Sequence, residues 1–273
     1  MTPGPINGRV ALVTGAARGI GSATVDRLCD QGYSVLAVDS CAADGADRPD
    51  GVEYALADPA DLADLERRHP GQVITRIVDV RDGDALVAAA ALAVERFGRL
   101  DAAVAAAAVI VGGRPLWETP ISHVRTLLDV DVVGVWNTAA AAIPHMLAGP
   151  APDGCRFVAV ASAAGSEGLF HLAAYNAAKH AVIGITRGLA ADLVGTGITA
   201  VSVSPGSTRT PMLAATAGLY GIDDVEHFAN SQLLHRLLDP RELAATIAFC
   251  CSVEGAVLNG SVVSATGGFT AGG

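Results

Sequence analysis

Apolar residues in this chain fall into seven short runs separated by longer stretches of helical periodicity. The runs are residues 9–14 (RVALVT), 33–39 (YSVLAVD), 73–80 (VITRIVDV), 100–110 (LDAAVAAAAVI), 155–162 (CRFVAVAS), 197–205 (GITAVSVSP) and 260–268 (GSVVSATGG). Helical patterns occupy 21–31, 82–97, 121–147, 175–194 and 241–251. Strands that are apolar nearly throughout, rather than alternating, belong to parallel sheets covered on both faces. The pattern therefore predicts a single doubly wound α/β domain with a mostly parallel seven-stranded sheet and helices on both faces. Two segments interrupt it. Residues 41–72 are acidic, punctuated by Pro and Gly, and read as an exposed insert after the second strand. Residues 206–239 follow a strand end and read as a lid.

Composition narrows the classes of partner. With 273 residues and 51% hydrophobic content the chain has ample material for a core. Its net charge of -10 argues against nucleic acid and anionic membrane surfaces, both of which select basic patches. The N-terminal residues show no charged leader before an apolar stretch, and no window reaches about 20 uninterrupted apolar residues. A cytoplasmic location is the expectation. Cys29, Cys41, Cys155, Cys250 and Cys251 form no CxxC pair, and the histidines lack HxxxH spacing, so no metal site is expected.

A nucleotide site is legible near the start. Gly15, Gly19 and Gly21, with Arg18 and Ile20 between them, follow the first strand and open a helix. Glycines there let backbone N–H groups approach a pyrophosphate at the positive helix end. Asp39 closes the second strand, where a carboxylate accepts the ribose hydroxyls of adenosine and repels a 2'-phosphate, favouring NAD over NADP. Asp79, followed by Val80, is placed either to meet an adenine amino group or to cap the helix at Asp82.

The chemistry converges further along. Tyr175 and Lys179 stand at i and i+4, on one helix face with Cβ atoms about 6 Å apart. Ser162 closes the fifth strand, at the carboxyl edge where open α/β sheets bind ligands. A phenol with pKa near 10 is a poor base at neutral pH; lowering it by three units needs about 4 kcal/mol. One cation about 4 Å away at an effective dielectric of ~20 supplies about that. Lys179 is expected to lower the Tyr175 pKa, so that Tyr175 takes an alcohol proton while Ser162 holds the substrate oxygen.

These matches, with Asp79-Val80 and the segment PGSTRTPM (205–212), resemble the short-chain dehydrogenases/reductases of the classical type from about residue 7 onward. The resemblance implies a nicotinamide cofactor, contacts to it from Ala106, Pro205, Gly206, Thr208 and Thr210, and a homotetramer built on the helices of 121–147 and 175–194. A narrower likeness, carried by AAAAVIVGGRPLWE, AAYNAAKHAVIGITRGLAADLVGTGITA and SPGSTRTPML, is to a subfamily associated with the mycofactocin redox system. That likeness implies tightly held NAD with mycofactocin as electron acceptor. An insert near Asp39 is long enough to cover the adenosine end.

The chain departs from the family pattern at three places. Ala105 to Ala108 replace Asn-Asn-Ala-Gly, which is expected to loosen strand anchoring. Thr266 replaces an Asp before Gly267 and Gly268. Asp131 falls where the family places the Asn of an Asn-Ser-Tyr-Lys tetrad, keeping an acceptor and losing the amide donor. Ionised, Asp131 favours a charged Lys179 but partly cancels the field on Tyr175; protonated, it mimics Asn. The substrate end, lined by 109–117, 163–171 and 207–238, is mostly small or apolar and suits a hydrophobic secondary alcohol or ketone. His171 is read as a loop histidine and Trp117 as a packing anchor. Three functions stay open: an NAD-dependent alcohol dehydrogenase, a carbonyl or ketoacyl-type reductase with freely exchanging cofactor, and a non-catalytic nucleotide sensor.

Overall fold

The computed structural model describes residues 8–43 and 48–270. Seven parallel strands form one sheet: β1 (Val10–Thr14), β2 (Ser34–Asp39), β3 (Val73–Ile77), β4 (Ala102–Ala105), β5 (Arg156–Val160), β6 (Thr199–Pro205) and β7 (Val262–Ala265). Their order is β3-β2-β1-β4-β5-β6-β7. The chain leaves β1 toward β2 on one side and returns to β4 on the other, so a crevice opens above β1 and β4, the place where doubly wound sheets take ligands.

Strand pleating explains the apolar runs. Val10 and Leu12 of β1 enter one core, while Ala11 and Val13 enter the other. The first core packs under α3 (Gly83–Phe97), the long helix of 121–147 and α6 (Ala173–Asp192). The second packs under α1 (Gly19–Asp30), α2 (Pro59–Arg68) and α8 (Pro240–Cys251). With both faces covered, most residues of the central strands carry apolar side chains, with buried exceptions such as Thr14, Arg156 and Ser202.

The long helix begins as α4 (Ile121–Leu127), widens into one π-helical stretch (Leu128–Val133), and continues as α5 (Gly134–Leu147). Its apolar content and length would suffice to cross a membrane, yet more than half of it is buried against the protein's other helices and sheet. Gly134 is required where it passes the end of β3, since a Cβ there would approach Val80 Cγ2 to 2.5 Å.

Two readings of the sequence change. The run 100–110 is not one strand, because pairing stops at Ala105 and Ala106 onward lines a cavity, an environment as apolar as the sheet. Segment 41–72 is more than a solvated insert, although residues 44–47 lie outside the described residues. Asp58 and Asp61 form a reciprocal capping box with Pro59 at the first turn of α2, and Leu62 and Leu65 of that helix are buried. Segment 206–239 contains α7 (Pro211–Tyr220) and is pinned near both ends, where Leu238 N donates to the Ser207 carbonyl and Arg209 N to the Leu238 carbonyl, both at 2.9 Å.

Candidate active site

One elongated cavity of about 500 Å³ runs along the carboxyl edge of the sheet. Its nucleotide half begins at the turn after β1. Gly15 and Gly19 have φ of +64° and +59°, and added Cβ atoms would meet Ala107 N at 2.6 Å from Gly15 and Gly15 O at 2.0 Å from Gly21. Only glycine fits that cradle. Arg18 precedes α1 without a side-chain cap, leaving the first N–H groups of the helix available to an anion. Arg18, Gly19 and Ile20 all face the cavity.

Asp39 stands across from this turn. Its oxygens accept from Ala17 N and Cys41 N, each at 3.1 Å, fixing the carboxylate at the cavity wall. Burial raises its pKa, against those N–H bonds and the Arg18 charge. Asp79 and Val80 face the cavity just past β3. Arg81 grips the Asp79 carboxylate at 2.6 to 3.0 Å. The net effect lowers the Asp79 pKa even though burial is the largest single influence and raises it. Asp79 does not cap α3; Asp82 does, accepting from Ala85 N.

The four alanines at 105–108 do not leave their loop untethered. Thr14 Oγ1 accepts from Ala106 N at 3.2 Å and Ala107 N at 3.4 Å. Asp131 Oδ1 accepts from Val109 N at 2.9 Å, and the Tyr54 oxygen accepts from Ile110 N at 3.2 Å. Three side chains from separate elements thus do what asparagines in the loop would do, correcting the expected loss of anchoring. Thr266 likewise serves its turn, accepting from Phe269 N at 3.2 Å.

Ser162 initiates a short turn beyond β5, accepting from Ala164 N at 3.1 Å. Gly165 lets that turn press on α6, since a Cβ would come within 3.0 Å of the Lys179 carbonyl. The Ser162 hydroxyl stands near enough to Tyr175 to pull its pKa down. Lys179 Nζ lies 5.5 Å from the Tyr175 ring centroid and donates to the Val160 carbonyl at 3.4 Å. Pro205, Gly206, Thr208 and Thr210 close the far wall.

Asp131 is set apart from the others. It lies behind Lys179, fully buried and off the cavity wall, with Oδ2 3.1 Å from Lys179 Nζ. The alignment is that of an ion pair rather than a good hydrogen bond. Burial raises the Asp131 pKa against the pull of Lys179, while in Lys179 the charges of Asp131 and Tyr175 outweigh burial and raise the ammonium's pKa. For Tyr175 the expected downward pull of Lys179 is present, but it is not the largest influence. Burial raises its pKa most; Lys179 and the Ser162 hydroxyl pull it down, Asp131 pushes it up, and the phenol ends above its ordinary value.

The substrate half is bounded by Leu169, Phe170, Met212, Leu213, Tyr220 and Phe228, with Thr216, His227 and Ser231 among its polar members. Tyr220 donates to the Phe170 carbonyl at 2.6 Å and ties α7 to the loop after β5. His227 and Phe228 fall within the expected lining 207–238, whereas Tyr54 was missed although it is the one Phe, Trp or Tyr in the acidic stretch 41–72. His171 is a loop residue with φ +52°, stacked on Phe170 and off the cavity wall. Trp117 anchors nothing: it is 82% exposed. Among the described residues no cluster of His, Cys, Asp or Glu suits a metal ion.

Comparison with known proteins places this geometry in a family. A family model described as enoyl-(acyl carrier protein) reductase matches residues 15–270. The crystal structure of a short chain dehydrogenase from Mycobacterium paratuberculosis bound to NAD is 30% identical, covers 97% of this chain and 98% of its own, and superposes with a TM-score of 0.85. That of carveol dehydrogenase from Mycobacterium avium in complex with NAD is 31% identical, with 97% and 99% coverage and a TM-score of 0.88. The cis-4-hydroxycyclohexanecarboxylate dehydrogenase of Sinomonas cyclohexanicum is 35% identical over 96% of this chain and 97% of its own. With a glycine cradle, a Ser-Tyr-Lys cluster and this breadth of similarity, the chain belongs to the short-chain dehydrogenase/reductase family.

Proposed function

We propose that this protein is an NAD-dependent oxidoreductase that interconverts a hydrophobic secondary alcohol and its ketone. The observation that carries the reading is the meeting of Ser162, Tyr175 and Lys179 in the same cavity as the glycine cradle and Asp39. NAD fits the residues present. The cradle admits a pyrophosphate where side chains would clash, and the Asp39 carboxylate suits a ribose diol and disfavours a 2'-phosphate. NAD supplies the acceptor for hydride.

The chain's own residues divide the remaining work. Ser162 Oγ donates to the alcohol oxygen and fixes it beside Tyr175. Tyr175 removes the hydroxyl proton as the carbon is oxidised and returns it when a ketone is reduced. Lys179 favours the phenolate by its charge and orients through Val160. Asp131 acts through Lys179 and the 109–110 loop, as a positioning residue. Leu169, Phe170, Met212 and Phe228 exclude water and accept an apolar body. Relatives named for carveol and for a hydroxycyclohexanecarboxylate support a cyclic secondary alcohol as substrate.

A finer reading concerns the cofactor and its surroundings. We infer that NAD is retained between turnovers, with mycofactocin taking its electrons; the segment 48–57 lying along the adenosine half of the cavity supports retention. Ile121, Leu128, Val133, Trp136 and Leu147 form an exposed apolar row along the long helix and support a homotetramer, working in the cytoplasm. Extensive dialysis of the purified protein tests retention. The expected result is one NAD per chain surviving, and complete loss of NAD favours a freely exchanging reductase instead. Turnover in Tyr175→Phe equal to the parent's would remove the catalytic assignment.

A further inference from the structure

Between β2 and α2 the chain crosses the mouth of the cavity as a strap of residues 48–57. Pro49, Tyr54, Leu56 and Ala57 of this strap face the cavity that Gly15 and Asp39 line. Its far side is fastened at three points. Thr126 Oγ1 of α4 donates to the Asp50 carbonyl at 2.9 Å. Gly51, at φ +76°, lies so near the His123 ring that a Cβ would approach to 2.4 Å. The Tyr54 oxygen accepts from Ile110 N at 3.2 Å, next to the Val109 N–H held by Asp131. Val52, between these contacts, is buried in the core. The strap is thus tied to α4 and to the loop after β4, and its later end leads into α2.

We propose that Tyr54 and Thr126 clasp this strap over the bound dinucleotide, and that unclasping sets the rate of cofactor release. The inference rests on the reading of the cavity as an NAD site. A ligand beneath a strap leaves through local opening, whose frequency depends on the contacts that must break. Tyr54→Phe keeps the ring and leaves the Ile110 N–H without its acceptor. Thr126→Val keeps the shape, removes the donor to Asp50 and lies outside the cavity wall.

The test is stopped-flow release of NADH from the loaded protein, followed by fluorescence, for the parent and each variant. Each substitution is expected to speed release about three- to tenfold, the effect of one lost hydrogen bond. Single-turnover alcohol oxidation by Thr126→Val is expected to match the parent. Thermal unfolding identifies a variant that has lost its fold, in which case the other decides. Release rates equal to the parent's in folded variants overturn the clasp while leaving the NAD reading intact. A parent that binds no NADH overturns both. Rapid release from the parent contradicts retention alone, because the clasp is judged by the ratio of variant to parent.

Discussion

An ionised aspartate at full burial costs several kcal/mol unless it is paired, and Asp131 has partners of two kinds. One oxygen receives the Val109 N–H and the other faces the Lys179 ammonium. The negative charge raises the pKa of Tyr175, opposing Lys179. Removing it by Asp131→Asn therefore lowers the Tyr175 pKa, while the amide oxygen can still accept from Val109 N. Alcohol oxidation needs Tyr175 able to accept a proton, so its rising limb with pH is expected to move to lower pH with turnover retained. The pH profile of kcat/KM checks this; an unchanged profile contradicts the coupling, and a shift upward means that Lys179, without its carboxylate partner, has lost its charge. The position of Asp131 was legible in the sequence because an acid among valines in a helix demands a reason. Its distance from the cavity was not, since helical spacing gives a face and not a depth. The direction of the Tyr175 shift was missed because a pairwise charge argument omits the cost of burying the phenol.

At the scale of elements, the long helix sets how close Asp131 stands to Lys179 and how tightly Val80 is pressed toward the nucleotide. The π-helical stretch holds Asp131, and Gly134 follows immediately at the contact with Val80. Gly134→Ala inserts a methyl group 2.5 Å from Val80 Cγ2 and 3.0 Å from its Cβ. Overpacking of this kind costs about 1–3 kcal/mol. Because Val80 lines the nucleotide half, weaker retention of NAD, read as the fraction lost on dialysis, is expected along with reduced stability in denaturant titration. Unchanged values of both would show that the helix yields without disturbing the site. Periodicity located the long helix and most strands well, but it could not separate β4 from the apolar loop that follows. Both are shielded from water, one by the sheet and one by the cavity wall. It also overlooked α2, a short helix whose apolar face is two leucines deep within an acidic stretch.

For the whole molecule, the two buried faces of the sheet fix which residues reach its carboxyl edge, and the connections from β1, β4, β5 and β6 bring the chemistry there. The residues proposed from sequence for cofactor contact all line one cavity, joined by Ser162, Tyr175 and Lys179. This much was readable because each belongs to a strand end, a glycine turn or a helix repeat, whose positions follow from local rules. The strap over the cleft, and the bonds that lock the expected wall segments together, were not readable, because they arise from contacts between segments distant in sequence, such as Tyr54 with Ile110 and Tyr220 with Phe170.

The central claim is direct hydride transfer between an alcohol carbon and NAD within this cavity. It is tested most directly by incubating the NAD-loaded protein with a cyclic secondary alcohol deuterated at its carbinol carbon and examining the cofactor by mass spectrometry. The account predicts one deuterium on the reduced nicotinamide in the parent protein and none in Tyr175→Phe. Ketone formed by the parent with no deuterium on the cofactor would contradict it.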